Sequence, residues 1–269
     1  MNRFLYRYYG KDEHILDVLL NKRLYHCKPS QFNDPFDCRP LISIKYSRCE
    51  DEDIWRKFLF YLAKMEYPEA PAAELSKHAD AAFAKGLHRN QSWLSEVDEG
   101  LKDVGGRVRV CCFSKSPRNM MMWAHYAKNH SGLVFQFRTS ELRDAATGEY
   151  RGQDVQYVPG ALGVQDYVYA LEQGIDHGNV LEMSRIIYST KTVHWEHEEE
   201  VRFFTEKDHP YASFKEPALS GIIFGDKTSE LLIRRVRDII ARWKHRPYLF
   251  KASIEKSSHK LWIGKYNGT

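Results

Sequence analysis

The period of the apolar residues changes along this chain, and that change constrains the fold more than any other feature. From about Glu50 to Val104 apolar residues recur at helical spacing, and Pro68 and Pro71 divide this block into two helical stretches. Outside the block, short alternating segments typical of strands are joined by a few helical ones. Helices that cluster in blocks predict an α+β fold, with a mixed, mainly antiparallel sheet, flanking helices and a helical insertion at about 50–104.

The same patterns predict the positions of the individual elements. The predicted strands are 6–9, 24–27, 107–113, 132–137, 155–158, 198–204, 219–224, 248–254 and 261–266. The predicted helices outside the block are 12–21, 119–129, 165–173, 180–188 and 229–243. We interpret the whole chain, 1–269, as one domain that carries the helical insertion.

Composition and cysteine content predict the compartment. The chain has no apolar run near the roughly 20 residues that a membrane helix needs, and its N-terminus lacks the pattern of a cleaved signal. Five cysteines are an odd number for a fully paired set, so we expect reduced thiols. We therefore predict a cytoplasmic protein without membrane contact; no pattern indicates its oligomeric state.

The segment FNDPFD is the first of three candidate parts of a site. Pro35 restricts Asp34 to extended geometry, and the side chains of Asn33 and Asp34 bond readily to nearby backbone amides. A rigid turn explains this composition, and taken alone that interpretation is favoured. The functional alternative is that the turn forms one wall of a cleft and presents a carboxylate.

The second candidate part follows a predicted strand that ends at Ser114. Trp123 and Tyr126 are three residues apart on the next predicted helix, so they share a face. Core packing explains Trp123 well, whereas the hydroxyl of Tyr126 suits a site. Both interpretations remain open for this segment.

The third candidate part is the predicted strand 198–204. Glu198, Glu200 and Arg202 would lie on one face of that strand at intervals of about 6.5 Å. Two close carboxylates raise each other's pKa, and Arg202 opposes that effect. A site that uses a carboxylate as base or charge stabiliser is the favoured interpretation, and a structural ion pair between Glu200 and Arg202 is the alternative.

Other known motifs are absent from the sequence, and one segment is strongly basic. We find no phosphate-binding loop, dinucleotide glycine fingerprint, zinc-protease spacing or nucleophile elbow. Residues 227–265 contain eleven Lys/Arg and three Asp/Glu, a formal charge of +8. Such a segment could attract nucleic acid. A solvated helix face and solvated strand ends are the favoured explanation, because no aromatic-interleaved basic motif accompanies the charges.

Five segments together resemble a known family. They are LYRYYG, LYHCKPSQFNDPFD, CFSKSPRNMMMWAHYAKNHSGLVFQF, KTVHWEHEEEVRFF and GIIFG. These segments resemble the bacterial and phage-associated family called domain of unknown function 2971 (DUF2971). The spacings N-D-P-F-D, W-x-H-Y-A-x-x-x-x-G and W-x-x-E-x-E-x-R carry the resemblance, which covers most of the chain outside 50–104.

The chain also bears a more distant resemblance to ADP-ribosyltransferases of the arginine–serine–glutamate class. The resemblance implies that Arg7 binds the phosphates of NAD and that Ser114 supports the strand or the nicotinamide ribose. It further implies that Glu200 stabilises an oxocarbenium-like transition state and that Glu198 activates the acceptor. Arg202 departs from the family pattern, since it could neutralise the charge that the reaction needs.

The same resemblance completes the expected site. Tyr126 joins Glu200, Glu198 and Ser114 as a catalytic residue, and Tyr126 or Trp123 could stack on nicotinamide. Residues expected to bind NAD are Arg7, Tyr6, Asn33, Asp34, Trp123 and Arg202. No metal ion is expected at this site.

Three functions are compatible with these observations. The first is an NAD-consuming enzyme, either an ADP-ribosyltransferase or an NAD glycohydrolase, in bacterial defence or a toxin–antitoxin system. The second is a non-enzymatic sensor or partner module of a defence system. The third is a metal-dependent nuclease that uses Asp34, Asp37, Glu198 and Glu200 as ligands and the basic segment to bind nucleic acid. We rank them in that order.

Overall fold

A large mixed sheet organises this chain in a computed structural model. The structure describes residues 3–32, 34, 37, 49–104, 108–142, 152–160, 163–176, 188–205, 209–255 and 260–268. The strands are β1 (Phe4–Tyr9), β2 (Arg23–Tyr25), β3 (Arg109–Ser114), β4 (Leu133–Arg138), β5 (Gly152–Asp154), β6 (Gln156–Val158), β7 (Thr190–Thr192), β8 (Glu200–Thr205), β9 (Tyr211–Ser213), β10 (Leu219–Phe224), β11 (Tyr248–Glu255) and β12 (Lys260–Lys265). Eight of them form one sheet in the order β12-β11-β10-β4-β1-β3-β8-β5.

Most neighbours in this sheet are antiparallel. The exception is the parallel pair of β10 and β11, in which Gly221 lies opposite Tyr248. Two small sheets complete the strand pairing of the described residues: β2 with β9, antiparallel, and β6 with β7, parallel. The prediction of an α+β fold with a mixed, mainly antiparallel sheet is confirmed.

Seven α-helices lie in the described part of the chain. They are α1 (Asp12–Asn21), α2 (Glu52–Glu66), α3 (Ala72–Ala84), α4 (Gln91–Val104), α5 (Met120–Tyr126), α6 (Val164–Leu171) and α7 (Glu230–Ile240). Asp51 begins α2 by accepting hydrogen bonds from the backbone amides of Asp53 and Ile54. Among the described residues, no helix combines the length and apolar character needed to cross a bilayer.

The two faces of the sheet are covered by different helices. Helices α1 and α7 pack on one face, where Leu19 and Ile233 join Phe135 and Phe203 in the largest core cluster. On the other face, α5 covers β1, β4 and β10, with Trp123 at the centre of a second cluster. A third cluster joins the helical block and α6 to β3 and β8.

One predicted strand begins later in the structure, near the candidate site. The strand predicted over 198–204 begins only at Glu200, because Val193–Glu198 form a 3₁₀ helix. Glu199 follows with a φ of 45°, which turns the chain into β8. The prediction that Glu198 lies on the strand with Glu200 and Arg202 is therefore wrong. The predicted helix 180–188 lies almost entirely outside the described residues.

Candidate active site

A gap between β1 and β3 creates the cavity that forms the candidate site. These strands are paired at Tyr6 and Ser114. Beyond that point they separate, and Cys27 pairs with Val110 of β3 instead. The cavity between them has a volume of about 190 Å³. Its walls comprise Tyr6, Arg7, Tyr8, Cys27, Phe32, Asp37, Val110, Cys112, Phe113, Ser114, Met122, Tyr126, Lys191, Glu198 and Glu200.

The ammonium group of Lys191 lies among three carboxylates at one end of the cavity. Lys191 Nζ is 2.6 Å from Glu198 Oε2, 3.0 Å from Asp37 Oδ2 and 3.2 Å from Glu200 Oε2. All four side chains are buried. Lys191 therefore joins carboxylates from two separate segments of the chain, one at Asp37 and one at 198–200.

Arg202 holds two of the same carboxylates from behind the cavity. Its Nε donates to Glu200 Oε1 at 2.8 Å, and its Nη2 donates to Glu200 Oε2 at 2.9 Å and to Asp37 Oδ1 at 2.7 Å. Nη1 donates to the carbonyl oxygen of Tyr188 at 2.5 Å. Arg202 is fully buried, and its guanidinium lies 5.4 Å from the ring centroid of Phe32.

These five charged side chains have an excess negative charge. Asp37, Glu198 and Glu200 are acidic, and Lys191 and Arg202 are basic. Burial alone would raise the pKa of Glu200, but Arg202 and Lys191 outweigh burial and lower this pKa to about 2. Burial lowers the pKa of Lys191, but the surrounding carboxylates reverse that effect and raise its pKa above the ordinary value. Both groups are therefore charged at neutral pH.

Glu198 accepts fewer hydrogen bonds than Glu200. Glu198 Oε1 accepts from the hydroxyl of Tyr126 at 2.7 Å, and Oε2 accepts from Lys191. Glu200 accepts two bonds from Arg202 and one from Lys191. A carboxylate offers about four lone-pair positions. Glu198 thus has the larger remaining capacity to accept a hydrogen bond from a ligand.

Neighbouring elements fix the position of Glu198 and Glu200. Asn119 begins α5 by accepting from the amides of Met121 and Met122, and its Nδ2 donates to the carbonyl oxygen of His197. This contact ties α5, which carries Tyr126, to the 3₁₀ helix that ends at Glu198. The backbone N–H of Glu200 donates to the hydroxyl oxygen of Tyr157 at 2.8 Å.

The structure brings most of the expected site residues together. Tyr6, Ser114, Tyr126, Glu198 and Glu200 all line the cavity. The hydroxyl of Ser114 donates to the carbonyl oxygen of Ser116 and accepts from its amide, which stabilises the turn after β3. Arg202 lies directly behind Glu200.

Arg7 is oriented differently from what the resemblance implies. Arg7 also lines the cavity, but it alternates with Tyr6 and Tyr8 along β1, so its side chain extends towards the opposite face of the sheet. There it donates to the carbonyl oxygen of Tyr25 at 2.9 Å and to Cys111 Sγ. Its guanidinium also lies over the ring of Phe113. These contacts do not support the expected role of Arg7 in binding phosphate.

Two expected residues, Trp123 and Asp34, are not among the described residues that line the cavity. Trp123 is fully buried beneath α5, where it packs edge-on against Tyr8 and parallel to His130. A ring in that position cannot stack on a ligand. Asp34 is buried but is not among the described residues that line the cavity. Asn33 lies outside the described residues.

Lys191 is the main residue that the sequence predictions missed. It lies on β7 between two threonines, a context that resembles an exposed strand. It also belongs to the segment KTVHWEHEEEVRFF, which was the only signal that could have pointed to it. Asp37, a metal ligand in the nuclease interpretation, pairs with Lys191 and Arg202.

The centre of this cluster is occupied by Lys191, and the neighbouring thiol of Cys112 is a weak nucleophile. Among the described residues, no group of three His, Cys, Asp or Glu side chains has the arrangement of a metal site. Lys191 Nζ already occupies the position between the carboxylates. Burial raises the pKa of Cys112 well above its ordinary value, so this thiol is a poor nucleophile near neutral pH.

Comparison with known proteins supports the family resemblance. Residues 122–203 match the model of the family described as "Protein of unknown function (DUF2971)". This segment contains five of the residues that line the cavity: Met122, Tyr126, Lys191, Glu198 and Glu200. No curated protein and no solved structure matches the chain.

Proposed function

We propose that this chain, a member of the DUF2971 family by the match of residues 122–203, is an enzyme that cleaves the N-glycosidic bond of NAD. The observation that carries the proposal is Glu198, which lines the cavity within a cluster that has an excess negative charge. The nicotinamide ring of NAD is a cation, and cleavage of its bond to ribose moves positive charge onto the sugar. A preorganised carboxylate stabilises such developing charge.

The reaction balances without an oxidant or a metal. The bond between C1′ of the ribose and the pyridine nitrogen breaks, and nicotinamide leaves with the electron pair of that bond. Water adds its oxygen to C1′ and releases a proton, which yields ADP-ribose. An ADP-ribosyltransferase would replace water with a nucleophile of another molecule, so both activities would use the same first step.

The contacts of the cluster assign different roles to its members. Glu198 would contact the ribose, because its carboxylate has the larger spare capacity to accept hydrogen bonds. Tyr126 and Lys191 would orient Glu198, and Arg202 would keep Glu200 in place. Tyr6 and Tyr8 would form aromatic walls for the nicotinamide ring.

The size of the cavity limits how much of the dinucleotide it can enclose. Its volume of about 190 Å³ is below the roughly 300 Å³ of the smallest pockets that enclose drug-sized ligands. We infer that only the nicotinamide end would enter.

The compartment that we propose is the cytoplasm, and the proposed context is bacterial defence or a toxin–antitoxin system. The four cysteines that the structure describes are thiols, which is typical of a reducing compartment.

The experiment that tests the proposal compares two neighbouring glutamates. We expect Glu198→Gln to lower the rate of nicotinamide release from NAD by about 100-fold or more, since a charge-stabilising group is removed. Glu199→Gln is the matched control, because Glu199 is exposed and adjacent. Its rate should equal that of the wild type. Folding of both variants is checked by thermal unfolding.

Two outcomes would reject the enzymatic proposal. One is the absence of nicotinamide release from folded wild-type protein with any acceptor. The other is equal activity of Glu198→Gln and wild type. A non-enzymatic sensor or partner module is then the better assignment. The observation that favours it is the mutual pairing of Asp37, Glu200 and Arg202, which suits a structural network.

A further inference from the structure

A second cavity lies beside the first and contains two cationic side chains. It has a volume of about 340 Å³ and is lined by Arg118, Met120, Lys260, Leu261 and Trp262. The guanidinium of Arg118 makes one long hydrogen bond, 3.4 Å, to the carbonyl oxygen of Leu261. In the part of the chain that the structure describes, neither Arg118 nor Lys260 forms an ion pair. Two exposed cations without carboxylate partners can bind an anion without breaking an existing ion pair.

The second cavity adjoins the first through shared packing. Tyr6 and Met122 line the first cavity, Leu261 lines the second, and all three belong to the same apolar cluster under α5. Burial raises the pKa of the Tyr6 hydroxyl, and the positive charge of Arg118 partly opposes that rise. Arg118 is therefore close enough to Tyr6 to act on it electrostatically. One elongated ligand could extend from Tyr6 to Arg118.

Trp262 provides an aromatic surface in the wall of the second cavity. Its side chain is 55 % exposed, although it lies on a paired strand opposite Ser253. The indole Nε1 donates to Glu255 Oε2 at 3.1 Å, which fixes the orientation of the ring. An exposed indole that is held in one orientation is suited to stack on a nucleobase. The carboxylate of Glu255 would repel a phosphate from its own side of the ring.

We propose that the second cavity binds the adenosine diphosphate portion of the dinucleotide whose nicotinamide end enters the first. Arg118 and Lys260 bind the pyrophosphate, and Trp262 stacks on the adenine. This assignment supplies the phosphate-binding cations that Arg7 does not provide. It rests on the proposed function for the identity of the whole ligand, whereas the binding of adenosine diphosphate can be measured by itself.

The test measures ADP binding by titration calorimetry and by the fluorescence of the tryptophans. We expect wild-type protein to bind ADP, and Arg118→Gln and Lys260→Gln to weaken binding by about fivefold or more, since each removes a charge-assisted hydrogen bond. Trp262→Ala should weaken the binding of ADP but leave the weaker binding of inorganic pyrophosphate unchanged. Arg235→Gln is the matched control, because Arg235 is an exposed arginine of α7 on the other face of the sheet. It should bind ADP like the wild type.

The results separate this proposal from the proposed function. If ADP binds and depends on Arg118 and Lys260, the second cavity is a nucleotide site even when no nicotinamide is released. If NAD is cleaved but the three variants keep wild-type affinity for ADP and wild-type KM, this proposal is overturned and the enzymatic proposal stands. When the second cavity binds ADP and the protein also cleaves NAD, the variants should raise the KM for NAD and leave kcat unchanged. Equal loss of ADP binding in Arg235→Gln would also overturn it.

Discussion

At the scale of single residues, the cluster around Lys191 shows how charges are kept inside this protein. An isolated buried charge is strongly unfavourable, but an ion pair with hydrogen bonds on both sides offsets most of that penalty. Here Lys191 and Arg202 each bridge two or more carboxylates, so Asp37 and Glu200 are bonded from two directions. Glu198 is the carboxylate with the fewest of these bonds, which makes it the residue best placed to contact a ligand.

The lowered pKa of Glu200 predicts a pH-dependent stability. Its pKa falls from 4.5 to about 2 on folding, chiefly because Arg202 and Lys191 outweigh its burial. Glu200 therefore contributes stability above pH 4.5, and this contribution decreases as the pH falls from 4.5 towards 2. Its size is about 3 kcal/mol, at roughly 1.4 kcal/mol per pKa unit. Urea unfolding of wild type and Glu200→Gln between pH 7 and pH 3 measures it.

The difference in the free energy of unfolding between these two proteins should be largest at pH 7 and should shrink below pH 4.5. Glu199→Gln provides the control, since Glu199 is exposed. Its stability should follow the wild type at every pH. A difference between wild type and Glu200→Gln that is independent of pH would contradict the prediction.

At the scale of elements, the turn after α5 sets the position of the helix that carries Tyr126. Lys128, Asn129 and His130 have φ values of 50°, 50° and 68°, so three successive residues adopt the left-handed conformation. The turn brings Gly132 against β1. A Cβ at Gly132 would lie 2.0 Å from the carbonyl oxygen of Tyr9. The close approach explains why the spacing W-x-H-Y-A-x-x-x-x-G ends in glycine.

Substitution by alanine should have opposite effects on stability at Gly132 and at Gly100. Gly132→Ala should lower the free energy of unfolding by about 3 kcal/mol or more, because the contact is with backbone and cannot relax without moving β1 or α5. Gly100→Ala should raise it by about 0.5–1 kcal/mol, since Gly100 lies within α4 and nothing surrounds its Cβ position. Chemical denaturation measures both, and a stable Gly132→Ala variant would contradict the proposed contact.

At the scale of the whole molecule, the helical block is joined to the sheet by a shared core. Trp55 and Phe58 of α2 belong to the same buried cluster as Val110 of β3, Tyr167 of α6 and Phe204 of β8. A block that contributes to the core of the sheet should unfold together with it. The cavity of the candidate site lies at the edge of this shared core, where Val110 is also a lining residue.

The shared core predicts cooperative unfolding. Phe58→Ala removes a fully buried ring and should lower the free energy of unfolding by about 3–5 kcal/mol. The loss should appear as one transition, shifted equally whether it is followed by circular dichroism or by tryptophan fluorescence. Leu231→Ala is the control, since Leu231 is 65 % exposed, and it should change stability little. Two separate transitions would indicate that the helical block is an independent unit.

Local patterns were sufficient to predict most elements of the fold. Helical spacing located the block at 50–104, and alternation located β1, β3, β4 and β10 to within about two residues, because these signals depend on neighbours in sequence. Short strands such as β7 and β9 were missed, since three residues are too few to show a period. The strand predicted from Glu198 was wrong because a left-handed residue at Glu199 interrupts an otherwise regular alternation.

Adjacent residues were enough to predict the fold class and the residue types available to the site, because periodicity and turn chemistry are local properties. Which of these residues meet depends on how the chain folds in three dimensions. Lys191 joins Asp37 and Glu198 through contacts between distant segments, and no local pattern reports such contacts. For Arg7, local pattern and tertiary structure each supply part of the answer. Strand alternation predicts that its side chain points away from that of Tyr6. The cavity that Tyr6 faces is visible only in the tertiary structure, where β1 and β3 separate.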